Sequence, residues 1–254
     1  MSPHTHLLID SRGVAQLTLI NAGSLNILGT TVINDLKCAV QSLSENPQVR
    51  VVIFRTSGSK AFIGGADLKE MKGLQRAQAE GFISGLRDLC EALRQCRATV
   101  VAQMQGWCLG GGLEVAAACD LRVASSQAHF AMPEVRMGIP SVIHAALLPA
   151  LIGSGRARWL MLTGDAIDAQ TALDWGLVNT VAEDEHLEQK TERMVQSLLA
   201  SEPHALVQQK RLLNAWEQVA MGNSIPASIE AFGAAFDTGE PARAMHAFFA
   251  RPRA

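Results

Sequence analysis

The stretch "GWCLGGGLEVAAACDLRVAS", Gly106 to Ser125, places three consecutive glycines in front of an apolar run that holds a single carboxylate, Glu114. The strand-like "TVVAQMQG" precedes it, so the order is strand, glycine turn, then helix from about Gly111. A carboxylate among Leu113, Val115 and Ala116 is costly to bury unpaired, so it is either satisfied or engaged in chemistry.

The same grammar occurs upstream. "KAFIGGADLKEM", Lys60 to Met71, follows the β-branched run "VRVVIFRTS", and "ADLKEM" opens a helix. The first N–H groups of a helix lack internal partners, so two such loop-to-helix starts can aim two donors at one oxygen. That arrangement suits an oxyanion hole as well as it suits tight packing turns. Neither G-x-x-x-x-G-K-[ST] nor G-x-G-x-x-G occurs, which argues against a phosphate cradle. A second carboxylate, Glu134, stands behind Pro133 in "HFAMPEVRMGIP", 20 residues after Glu114 (134 − 114). Read alone, it is a first-turn helix residue favoured by the helix dipole.

Outward from this centre, "HLLID" and "VAQLTLI" flank "SRG" as a hairpin, and "TVINDLKCAVQSL" carries helical spacing. A further helix spans about Arg76 to Arg97, where Arg87, Arg94 and Arg97 interleave with Asp88 and Glu91 as a solvated face. Beyond Ser154 the pattern turns helical, interrupted by the strand-like "GLVNTVAE". Asp168 caps and Gly176 ends the helix in "DAQTALDWGL". "SEPHALVQQKRLLNAW", "SIEAFGAAFDTG" and "EPARAMHAFFARP" continue the helical pattern. The expected division is an α/β core over residues 1–190, containing the site, and a helical C-terminal region over 191–254.

The 254 residues carry 48% hydrophobic and 18% charged side chains, enough for a sizeable core. With 22 basic against 24 acidic residues there is no electrostatic footprint for nucleic acid or an anionic membrane. Five cysteines without a C-x-x-C suit free thiols in a reducing compartment, and no zinc spacing is readable. With no signal-like leader and no uninterrupted spanning run, the expected location is cytoplasmic.

The segments "AFIGGADLKEM", "GWCLGGGLEVAAACDLRVAS", "FAMPEVRMGIP" and "LTGDAIDAQTALDWGLVNTVAED" closely resemble, in order and spacing, the motifs of the enoyl-CoA hydratase/isomerase (crotonase) superfamily. The resemblance implies an α/β spiral of ββα turns with two roughly perpendicular sheets, followed by helices that form a homotrimer or a dimer of trimers. It implies an acyl-CoA thioester as substrate, with coenzyme A as part of that substrate and no separate cofactor or metal. The thioester oxygen would lie between the N–H groups of Ala66 and Gly111. Gly110 and the segment Ala66, Asp67, Leu68 and Lys69 would line the CoA path. Glu114 and Glu134 match the two glutamates with which family hydratases hold water, so the resemblance implies hydration of a 2-enoyl-CoA. Glu114 is assigned to water activation and Glu134 to protonation at C2. Isomerase, decarboxylase or thioester hydrolase chemistry is the alternative, and a non-catalytic CoA-ester-binding or RNA-associated scaffold lies further off.

The chain departs from the family after Glu134. Where many family hydratases resemble I-P-G-x-G-G-T-Q-R-L, this one reads "IPSVIHAALL". Ser141 replaces the first glycine, Ile143 and His144 fill the glycine pair, and the stretch from Glu134 to Pro140 is one residue shorter. Trp107, Ser141 and His144 are accordingly candidates for the acyl pocket.

Overall fold

A computed structural model describes residues 2–217. The expected hairpin forms: β1 (Thr5–Ile9) runs antiparallel to β2 (Val14–Leu19). Asp10 fastens the turn by accepting from the amides of Arg12 and Val14. α1 (Thr30–Glu45) then carries Val32, Ile33, Leu36, Val40 and Leu43 on one buried stripe.

Three strand pairs follow. β3 (Val51–Thr56) leads to β4 (Ala61–Ile63), β5 (Thr99–Met104) to β6 (Trp107–Leu109), and β7 (Leu121–Ser125) to β8 (His129–Ala131). The first member of each pair joins a six-stranded sheet ordered β1-β2-β3-β5-β7-β10, closed by β10 (Thr180–Ala182). The second members, with β9 (Ile167–Asp168), form a four-stranded sheet ordered β4-β6-β8-β9. β2, β3, β5, β7 and β10 run parallel, which fits the near-continuous burial of Val51 to Phe54 and Thr99 to Ala102.

Helices occupy the connections. α2 (Leu68–Met71) is a single turn capped by Asp67, and α3 (Arg76–Gln95) buries Phe82, Leu86, Leu89, Cys90 and Leu93. α4 (Gly111–Ala118) is buried on every side. Such depth requires its glycines: a Cβ on Gly112 would lie 2.4 Å from the Ile63 carbonyl oxygen. α5 (Leu148–Ile152), α6 (Ser154–Thr163) and α7 (Ala169–Trp175) follow, the last capped by Asp168 and ended by left-handed Gly176, as expected. α8 (Leu187–Leu199) and α9 (Pro203–Trp216) complete the described elements.

Buried Arg122 anchors α4 from below. Its guanidinium donates to the carbonyls of Ala116 and Cys119 at the end of the helix and to that of Leu177, so these acceptors are satisfied. Arg122→Met strands those acceptors and is expected to cost about 3 kcal/mol or more, read as a lower urea midpoint.

The chain divides into two compact units, Met1–Arg193 and Met194–Ala254. The first holds both sheets; within the second the described residues are the end of α8 and α9. The helices expected in 228–239 and 240–252 lie outside the described residues. Among the described residues, no helix is long and apolar enough to cross a membrane. No group of three or more His, Cys, Asp or Glu among them is arranged to hold a metal ion.

Candidate active site

The site starts at the glycine turn between β6 and α4. Gly110 has φ +51, its amide donates to the Ala131 carbonyl, and its own carbonyl accepts from the amides of Leu113 and Glu114. These bonds join the turn to β8 on one side and to the first turn of α4 on the other. A Cβ on Gly110 would stand 2.3 Å from Oε1 of Glu134. Gly110→Ala therefore meets both a backbone conformation that L residues avoid and a collision with a carboxylate. It is expected to displace Glu134 and lower turnover by at least about tenfold, with a loss of about 1–3 kcal/mol in stability. Steady-state kinetics and a denaturation curve on the same preparation measure both.

Gly111 opens α4, so its N–H has no intrahelical partner. The Ala66 nitrogen lies 3.9 Å from where a Gly111 Cβ would be. Leu28 fixes the backbone on both sides of Ala66: its amide donates to the Gly65 carbonyl, and its carbonyl accepts from the Asp67 amide. Neither the Ala66 N–H nor the Gly111 N–H has an acceptor among the described residues. Among the described residues these are two neighbouring donors without an acceptor.

Beside them stand the carboxyls. Glu114, on the first turn of α4, is only 3% exposed, and its Oε1 accepts from the Ala145 amide at 3.1 Å. Its Oε2 lies 3.9 Å from the Gly111 Cβ position. Half-buried Glu134 comes from the tight turn Pro133–Met137, and its Oε2 accepts from the Ser141 hydroxyl at 3.0 Å. That turn is a 3₁₀ helix rather than the α-helical start expected, and left-handed Gly138 ends it after five residues.

Burial pushes the Glu114 carboxyl up to about 8; the donated Ala145 amide opposes this and the charge of Glu134 adds to it. Burial also raises Glu134, against its own backbone amide and the Ser141 hydroxyl. The charge of Glu134 disfavours ionisation of Glu114, so the two carboxyls titrate as a coupled pair.

The other residues named from the sequence are distributed more widely. Asp67 uses its side chain to cap α2 through the amides of Lys69 and Glu70, while Leu68 and Lys69 are exposed. Trp107 is exposed, its ring tilted against that of His129 with centroids 4.8 Å apart. Ser141 reaches Glu134, whereas buried His144 pairs through Nε2 with Oε1 of Glu91 on α3 at 3.0 Å.

This last contact corrects the reading of the α3 charges as a solvated face. Arg87 is exposed and Asp88 half-buried, but Arg94 is buried, Arg97 donates to the carbonyls of Asn46 and Val49, and Glu91 serves His144. Charge spacing on a helix does not reveal which residues a distant loop will cover. Ala145 was not legible either, since its contribution is a backbone N–H that any residue but proline supplies.

Residues 10–253 match the family described as Enoyl-CoA hydratase/isomerase. The chain is 31% identical over 245 residues to the short-chain-enoyl-CoA hydratase of Clostridium acetobutylicum, covering 96% of this chain and 94% of the other. It is 31% identical over 242 residues to the crotonyl-CoA hydratase of Syntrophomonas wolfei, covering 95% and 93%. Among solved structures it is similar to an enoyl-CoA hydratase from Mycobacterium smegmatis, with TM-score 0.94, 28% identity and 99% and 98% coverage. An enoyl-CoA hydratase from Bacillus anthracis gives TM-score 0.91 at 30% identity, with 96% and 95% coverage.

Proposed function

The chain belongs to the enoyl-CoA hydratase/isomerase family, within the crotonase superfamily, and from that premise we propose that it adds water across the C2=C3 bond of a 2-enoyl-CoA to give a 3-hydroxyacyl-CoA. One observation carries the proposal: two carboxyls converge on a glycine turn whose N–H, with that of Ala66, lacks an acceptor among the described residues.

On this reading the Ala66 and Gly111 N–H groups hold the thioester oxygen. Negative charge grows on that oxygen as water approaches C3, so the donors bind the transition state more tightly than the ground state. The ionised carboxyl of the pair takes a proton from water as oxygen bonds to C3, and the protonated carboxyl supplies the proton that C2 gains. With Glu114 as the base and Glu134 as the acid, the proton of the pair lies on Glu134 when water attacks.

The finer family features belong to the same proposal. They are the ββα spiral with roughly perpendicular sheets, the CoA path along Gly110 and Ala66–Lys69, a cytoplasmic location, and a trimer or dimer of trimers built through the C-terminal helices. The substrates in the names of the two bacterial relatives make crotonyl-CoA the first thioester to try.

Loss of enoyl-thioester absorbance across short, long and branched 2-enoyl-CoAs tests the reading. Hydration of at least one member is expected, and failure with all of them overturns it. The profile of kcat/KM against pH should be a bell. The alkaline limb falls near pH 8, where the pair loses its shared proton, and the acid limb lies above the ordinary carboxylate range, where the second carboxyl is protonated.

A further inference from the structure

We propose that Ser141 is a positioning residue: its hydroxyl holds one oxygen of Glu134 so that the other faces the Gly110–Gly111 turn, a role that rests on the hydration reading above. Oε2 of Glu134 accepts from Ser141 Oγ at 3.0 Å. Oε1 is the oxygen pressed against Gly110, where a Cβ would stand 2.3 Å away. Glu114 repeats the pattern, with Oε1 held by the Ala145 amide and Oε2 towards Gly111.

One short segment, 141–145, therefore holds both carboxyls, and each keeps its second oxygen towards the glycine turn. The two holds differ in kind. Ala145 acts through backbone and is indifferent to its side chain, whereas the hold on Glu134 depends on the residue type at 141. The segment is itself constrained: Ile143 sits at φ +39, a conformation that β-branched residues avoid, and buried His144 ties it to Glu91 of α3.

The surroundings make the hydroxyl important to Glu134. Glu114, from α4, is the carboxyl coupled to it: the charge of Glu134 raises Glu114, while burial raises Glu134 itself. Arg136 on the same turn is engaged with the Thr163 carbonyl and Asp165, while Glu91 and Cys90 of α3 lie on the Glu114 side. Removing the Ser141 hydroxyl takes away a donor that favours the carboxylate and frees the side chain to rotate.

The test compares wild type, Ser141→Ala and Ser141→Thr with crotonyl-CoA across the pH range. In parallel, the glutamate carboxyls of the free protein are titrated by ¹³C NMR, with Glu134→Gln assigning the Glu134 signal. Ser141→Ala is expected to lower kcat about tenfold or more with KM within about twofold, consistent with losing one bond to a charged group. Its acid limb and the Glu134 titration should both move to higher pH, and Ser141→Thr should restore both. An unchanged titration and acid limb in Ser141→Ala would overturn the proposal, as would a Thr variant as impaired as the Ala variant. If the wild type hydrates no enoyl-CoA, the hydration reading fails, and the NMR titration alone still decides whether Ser141 governs Glu134.

Discussion

Glu114→Gln is expected to lower kcat for enoyl-CoA hydration by about 10²–10⁴-fold while making the folded protein more stable at alkaline pH. Both effects have one source, a carboxyl that is 3% exposed and pushed up to about 8. Because its folded value lies above its unfolded one, the group's contribution to stability is fully present below about pH 4.5 and is lost as pH rises through about 8. Glutamine keeps the acceptor for the Ala145 amide and carries no charge to bury. The variant should therefore exceed wild type by on the order of 2–4 kcal/mol at high pH, and the two should converge in acid. Thermal melts at pH 5 and pH 9, run beside steady-state kinetics, measure the pair of effects. A variant less stable than wild type at pH 9 would remove burial of charge as the cause.

Gly111→Pro should be nearly as damaging to activity, by a different route. Proline is tolerated at the first position of a helix, where the N–H has no internal partner, so α4 can retain its start. The donor proposed for the thioester oxygen is gone, and such a loss costs about 3 kcal/mol of transition-state stabilisation, a fall of about 10²–10³ in kcat. Gly111→Ala is the control. It keeps the N–H, and its Cβ meets Leu86 Cδ2 at 2.8 Å, the movable end of a side chain. Alanine should keep most of the activity that proline loses; equal damage by both would assign the effect to packing.

The centre of the fold was readable because its signals are local. The three glycines ahead of an apolar run, the β-branched strands, and the Asp168 and Gly176 punctuation of α7 each encode a backbone requirement in residue type. Glu114 stands out as a carboxylate in an apolar helix, whereas Glu134, read alone a first-turn helix residue, becomes a candidate through the family resemblance. What holds them was not readable. The Ala145 amide has no residue-type signature, the Glu91–His144 contact spans 53 residues, and nothing in "IPSVIHAALL" announces a left-handed Ile143. The same departure that marked this segment in the sequence thus became the structure that holds both carboxyls.

Incubation with crotonyl-CoA in ¹⁸O-labelled water, followed by mass spectrometry of the thioester, tests the central claim most directly. The expected result is a product heavier by one labelled water, with the label on C3. An unchanged mass with a moved double bond, loss of carbon dioxide from a suitable acyl-CoA without any hydration, or release of free coenzyme A would contradict it.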